Sequence, residues 1–136
     1  MTPVIRAIAR ASFAAQCLVA IGGDGALGRL GPYLATPDRW LRIDPRAPDA
    51  AARTMEAVDA LCAQMKPDVL VVAGGSEAIL SAVFAASRRD VRIARLESGI
   101  RTDEPAHRRG ALVDRLADLH FTSSAGRDAR LLAEGV

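Results

Sequence analysis

From Pro67 to Val136 the chain repeats one pattern. An aliphatic run leads into a small-residue turn, and a helical segment follows. The pieces read PDVLVVAGGSEAIL, then IARLESGIRT, then LADLHFTSSAGRDARLLAEGV. Unbroken aliphatic runs of this length suit strands covered on both faces, as in parallel sheets. Strands that alternate with helices imply an α/β fold joined by right-handed crossovers. The composition agrees. Half of the 136 residues are hydrophobic but only 4% are aromatic, so the core must be built from Ala, Val, Leu and Ile. A single domain of this size buries roughly 68% of its unfolded surface. No repeat, low-complexity run or linker divides the chain, so residues 1–136 read as one Rossmann-like domain with helices on both faces of a parallel sheet.

The earlier half follows the same rhythm. Pro3 to Arg10 carries a helical stripe, Gln16 to Ile21 a buried strand, Trp40 to Ile43 a second strand, and Asp49 to Lys66 the clearest helix. Met55, Val58, Leu61, Cys62 and Met65 form its apolar stripe. Further strands are expected at 69–72, 91–96 and 120–122, with helices at 78–87, 106–116 and 125–134. Ser76 and Ser124 are placed as N-caps. Sheets of this kind bind ligands at the carboxyl ends of their strands. Those ends hold Gly22 to Gly25, Asp44, Ala73 to Ser76 and Glu97 to Thr102.

Several function classes fall away. Lys+Arg number 18 against 16 Asp+Glu, and the two signs interleave, so no basic face for nucleic acid is expected. Two distant histidines and two cysteines in apolar settings, Cys17 and Cys62, offer no metal-ligand spacing. Both cysteines read as buried free thiols. No signal peptide and no apolar stretch of about 20 residues is present, which predicts a cytoplasmic protein without a membrane partner. No cofactor is expected.

Four motifs carry candidate chemistry. Gly23-Asp24-Gly25-Ala26-Leu27-Gly28 spells GxGxxG, and Asp44 lies near the distance of a ribose-binding acid. Gly31-Pro32 breaks the helix that should follow, which favours a plain turn. At Gly74-Gly75-Ser76, amides and a hydroxyl could hold an anion, or the turn is simply tight and capped. In Glu97-Ser98-Gly99-Ile100-Arg101-Thr102, Glu97 closes an apolar strand where an unpaired carboxylate is costly. Arg101 is near enough in sequence to pair with it, as a site or as a structural ion pair. His107 could donate a proton, whereas His120, between Leu119 and Phe121, reads as half-buried structure. Ser98 and Ser124 have no His beside them in sequence, so nucleophilic catalysis lacks support.

Leu96-Glu97-Ser98-Gly99-Ile100-Arg101-Thr102 resembles the VEAGLRT motif of the non-hydrolysing UDP-N-acetylglucosamine 2-epimerases. Leu116-Ala117-Asp118-Leu119-His120-Phe121 resembles their ALADLHF, and Pro67-Asp68-Val69 opens a strand as theirs does. The resemblance implies the N-terminal half of a two-domain GT-B-type fold, and an isomerase that interconverts UDP-N-acetylglucosamine and UDP-N-acetylmannosamine. Carboxylates serve there as general acid and base. The catalytic candidates are then Glu97 and Arg101, which stand in the motif, together with His107 from the reading of the residues, with Gly74, Gly75, Ser76, Ser98, Gly99 and Thr102 around the substrate.

Departures from the family are specific. Gly75 stands where its His-Gly-Asp-Thr turn has Asp. Pro105-Ala106-His107-Arg108-Arg109-Gly110 stands where it has Pro-Glu-Glu-x-Asn-Arg, after a shorter loop. Neither the family's first strand nor its second, uridine-holding domain has a counterpart. The expectation is therefore an epimerase-like domain inactive or incomplete by itself, needing a homodimer or a partner that supplies the second domain, or else a truncated product. Without the first strand, the strands at 16–21 and 69–72 must pair directly or leave open edges. Alternatives are a sugar-nucleotide glycosyltransferase subunit and a non-catalytic dimerising module.

Overall fold

The computed structural model describes residues 2–12, 16–17, 19–22 and 37–136. The elements run α1 (Thr2–Arg10), β1 (Val19–Gly22), β2 (Arg39–Arg42), α2 (Ala50–Met65), β3 (Val69–Ala73), α3 (Glu77–Ser87), β4 (Arg92–Leu96), α4 (Pro105–Leu116), β5 (Leu119–Phe121) and α5 (Ala125–Ala133). The alternation read from the sequence holds. The chain separates into two compact units, residues 1–50 and 51–136.

In the first unit β1 and β2 pair in parallel, Val19 opposite Arg39 and Gly22 opposite Arg42. The GxGxxG segment lies outside the described residues. Asp44 is exposed, and its Oδ1 accepts the Arg46 amide at 3.0 Å. It thus caps its own turn.

In the second unit the order β3-β4-β5 is wholly parallel. Val69 faces Arg92, Val72 faces Arg95, and Ala94 faces Leu119. Among the described residues β1 pairs with β2, and β3 pairs with β4. The period of two along β3 and β4 sets Leu70, Val72, Ile93 and Arg95 on one face. Helices α3 and α4 cover that face. Val72, Val83, Ile93 and Val113 form its buried cluster, flanked by Leu70, Ile79, Leu80 and Ala117. Full burial of side chains such as these contributes about 1.5–3 kcal/mol each. Asp118 stitches the base of β5 to β4. Its Oδ2 accepts the Ile93 amide at 2.7 Å, and its own amide donates to the Ile93 carbonyl at 2.9 Å.

Along α2 the buried positions are Ala50, Thr54, Val58 and Cys62, spaced by four, while Met65 at the end of the expected stripe is 44% exposed. Cys62 is a free buried thiol, as expected, and burial pushes its pKa up. Cys17 is a free thiol too but only partly buried.

Candidate functional site

The carboxyl ends of β3 and β4 carry two turns, 74–76 and 97–102. Between them stands a side chain that sequence reasoning missed. Arg95, inside the strand expected at 91–96, is 4% exposed. Its position shares a face with Val72 and Ile93, so the guanidinium must run under the helix layer. There Nε donates to Asp114 Oδ1 at 3.2 Å, and Nη1 donates to the Gly74 carbonyl. Asp114 follows Val113 on the buried side of α4 and is 1% exposed. Its Oδ2 accepts the Gly99 amide at 3.2 Å and Arg101 Nη1 at 2.6 Å. One buried carboxylate thus ties the first turn, through Arg95, to the second. The signal was present in the sequence: a charge on the inward period of β4 and an acid inside the apolar stripe of α4 require each other.

Arg101 does not pair with Glu97, as expected from their spacing. Besides Asp114 it holds Glu134, with Nε to Oε1 at 3.0 Å and Nη2 to Oε2 at 2.5 Å. Two carboxylates beyond the motif outcompete the one within it, because β4 ends at Leu96 and Glu97 turns away. Glu97 is exposed rather than desolvated, and among the described residues it has no hydrogen bond or ion pair of its own. It adopts φ 60°, a left-handed conformation that costs a non-glycine residue about 1–2 kcal/mol. The residues after it fix that geometry. Ser98, wholly buried, donates its hydroxyl to the Arg95 carbonyl at 3.1 Å, and its amide donates to the Phe121 carbonyl at 3.2 Å. Gly99 has φ 78°, and a Cβ there would come within 2.9 Å of the Arg127 Cβ. The strained, solvent-facing carboxylate is thus over-determined by its neighbours, which is the pattern of a functional position.

The bond from Arg101 holds the Glu134 carboxyl below its ordinary value of 4.5. A depressed folded pKa means that this stabilisation is fully present above about pH 4.5 and is lost as pH falls through the lower folded value. Glu134→Gln is therefore expected to remove part of the loss of stability on acidification. Urea midpoints at pH 7 and pH 3.5 should lie closer together in the variant than in the wild type.

The turn 74–76 serves the fold directly. Ser76 is the N-cap of α3, its Oγ accepting the Ile79 amide at 3.3 Å. The Gly75 carbonyl accepts Arg109 Nε at 3.0 Å. The first turn of α4 lies so close that a Cβ on Gly75 would sit 1.9 Å from the Ala106 carbonyl oxygen. His107 and Thr102, both candidates from the sequence, are brought together, His107 Nδ1 facing Thr102 Oγ1 with Glu104 Oε2 at 3.7 Å. Ser124 begins α5 without a side-chain cap bond, contrary to expectation; Asp128 in the first turn instead accepts Thr122 Oγ1 at 2.5 Å. Ser98 has no sequence neighbour that is a His, yet His120 Nδ1 lies 3.3 Å from its Oγ. Its complete burial keeps that serine from acting as a nucleophile.

Among the described residues no group of three or more His, Cys, Asp or Glu could hold a metal ion. No helix among them is long and apolar enough to cross a membrane. A cleft lined by Cys62, Lys66, Pro67, Arg89 and Val91 lies by the amino ends of β3 and β4, away from both turns.

The sequence profile described as UDP-N-acetylglucosamine 2-epimerase matches residues 36–136. The chain belongs to the UDP-N-acetylglucosamine 2-epimerase family. It is 27% identical over 146 aligned positions to the UDP-N-acetylglucosamine 2-epimerase of Escherichia coli K12, covering 100% of this chain and 39% of that protein. Among solved structures, the S. aureus MnaA–UDP co-structure superposes with a TM-score of 0.89 at 23% identity, covering 100% of this chain and 38% of that one. The Neisseria meningitidis UDP-GlcNAc 2-epimerase bound to UDP-GlcNAc gives a TM-score of 0.88 at 20% identity, covering 100% and 40%. These superpositions establish the N-terminal part of the GT-B-type epimerase fold. The chain spans about a quarter to two fifths of the length of the curated relatives it matches. The two segments that carried the resemblance, 96–102 and 116–121, supply the last residue of β4, the turn after it and β5.

Proposed function

We propose that this chain is the sugar-facing half of a nucleotide-sugar 2-epimerase, with UDP-N-acetylglucosamine or its 2-epimer as substrate class. The observation that supports this is Glu97. It is an exposed carboxylate in a left-handed conformation, at the carboxyl end of β4, inside the family's own motif. Family membership and the relatives solved with UDP or UDP-GlcNAc support the ligand class. The relatives named above are epimerases by description, which favours this reading over a glycosyltransferase subunit.

Two further points shape the reading. Glu97 is the carboxylate that remains where the family motif has one, while Gly75 and Ala106-His107 replace the other two. Loss of one general acid or base typically lowers rate roughly 10²–10⁴-fold. By themselves these 136 residues are proposed to bind without efficient turnover, in the cytoplasm, with a homodimer or a partner completing the site. Arg101 acts as a positioning residue, since its guanidinium is committed to Asp114 and Glu134. The test is calorimetric titration of the chain with UDP-N-acetylglucosamine and with UDP, repeated on Glu97→Gln. Weaker binding of the sugar nucleotide in the variant is expected. Equal affinity in wild type and variant would remove Glu97 from the site.

A further inference from the structure

The pair formed by Ser98 and His120 carries information about a ligand. Ser98 has one hydroxyl hydrogen and two contacts, the Arg95 carbonyl at 3.1 Å and His120 Nδ1 at 3.3 Å. A carbonyl oxygen can only accept, so the hydroxyl hydrogen points to Arg95. The imidazole must then supply its own hydrogen, and the ring is held with Nδ1 protonated. In the neutral ring this leaves Nε2 with a bare lone pair. Nε2 makes no bond to the protein. Because no buried side-chain nitrogen among the described residues lacks a partner, that atom reaches solvent. The ring is half-buried on β5, opposite Arg95 and one residue before Phe121, whose partner Leu96 precedes Glu97.

We propose that His120 is a ligand-facing hydrogen-bond acceptor of the strand-end site, and that Ser98 is the positioning residue that sets its tautomer. A neutral Nε2 can accept but not donate, so it selects hydroxyl and amide N–H groups and disfavours phosphate oxygens, which also only accept. Of the parts of a sugar nucleotide that offer such donors, the N-acetylated sugar is the one that the sugar-facing reading of this half assigns to His120. The inference deepens the sugar-nucleotide reading and rests on it.

His120→Asn separates the two ring nitrogens. Its side-chain amide reproduces the Nδ1 donor to Ser98 but has nothing at the Nε2 position. The variant should keep the wild-type urea midpoint and bind UDP-N-acetylglucosamine about 2- to 10-fold more weakly, as expected for one lost hydrogen bond. Its affinity for UDP, which lacks the sugar, should not change. Nitrogen-15 spectra of the free wild type should show the Nδ1–H tautomer, and Ser98→Ala should mix in the other. An Nε2–H tautomer in the wild type, or unchanged UDP-N-acetylglucosamine affinity in His120→Asn, overturns this proposal alone. A wild type that binds neither ligand overturns the sugar-nucleotide reading and this proposal with it.

Discussion

Asp114→Ala should destabilise the second unit by about 3–5 kcal/mol, the typical cost of removing one partner from a buried charge pair. The reason is what the mutation leaves behind. Arg95 is 4% exposed, and after the change its guanidinium retains only the Gly74 carbonyl. The Gly99 amide loses its acceptor as well. Domains of this size hold about 5–15 kcal/mol in total, so most of the margin is at stake. Urea denaturation read by far-ultraviolet circular dichroism measures the loss directly. Asp114→Asn keeps the shape and one acceptor oxygen and should cost less. Pairing Asp114→Leu with Arg95→Met should recover much of the stability, since replacing a whole buried ion pair by packed apolar side chains is often neutral. A cost below about 1 kcal/mol for Asp114→Ala would mean that the two turns are not held through this carboxylate.

Gly75→Asp supplies the acid that the family resemblance places at this turn, and it should not produce activity. A Cβ at position 75 would meet the Ala106 carbonyl oxygen at 1.9 Å and the Gly110 amide nitrogen at 2.9 Å. Both are backbone atoms, so relief requires α4 to move as a body. Overpacking of this kind costs typically 1–3 kcal/mol, and here the displaced helix carries Asp114 and Arg109. The expected result is a lower urea midpoint with no gain in epimerisation of UDP-N-acetylglucosamine, measured by proton nuclear magnetic resonance in deuterated buffer. Deuterium incorporation at C2 in the variant above the wild-type level would show that the helix can yield and that the lost acid was the sole deficit. The close backbone approach of α4 leaves no room for a side chain at position 75. A helix this close leaves room for glycine, and glycine lets the helix come this close.

The alternation of aliphatic runs with helical stripes determined the element order, and the parallel sheet followed from it. This worked because the signal is local: a side chain in a covered strand must be apolar whatever surrounds it. The same held for Ser76 as a cap and for the motif around Glu97, whose residues are contiguous. What the sequence could not give was which charge meets which. Spacing paired Arg101 with Glu97, four residues away, whereas the folded chain brings it Asp114 and Glu134, which lie 13 and 33 residues further along. Likewise Ser98 had no histidine beside it until β5 was laid in register against β4. Partners for charges and hydroxyls are chosen by strand register and helix rotation, which join distant segments. Tertiary structure alone decided that the strand-end site is held by a buried Arg95–Asp114–Arg101 relay and faces solvent through Glu97.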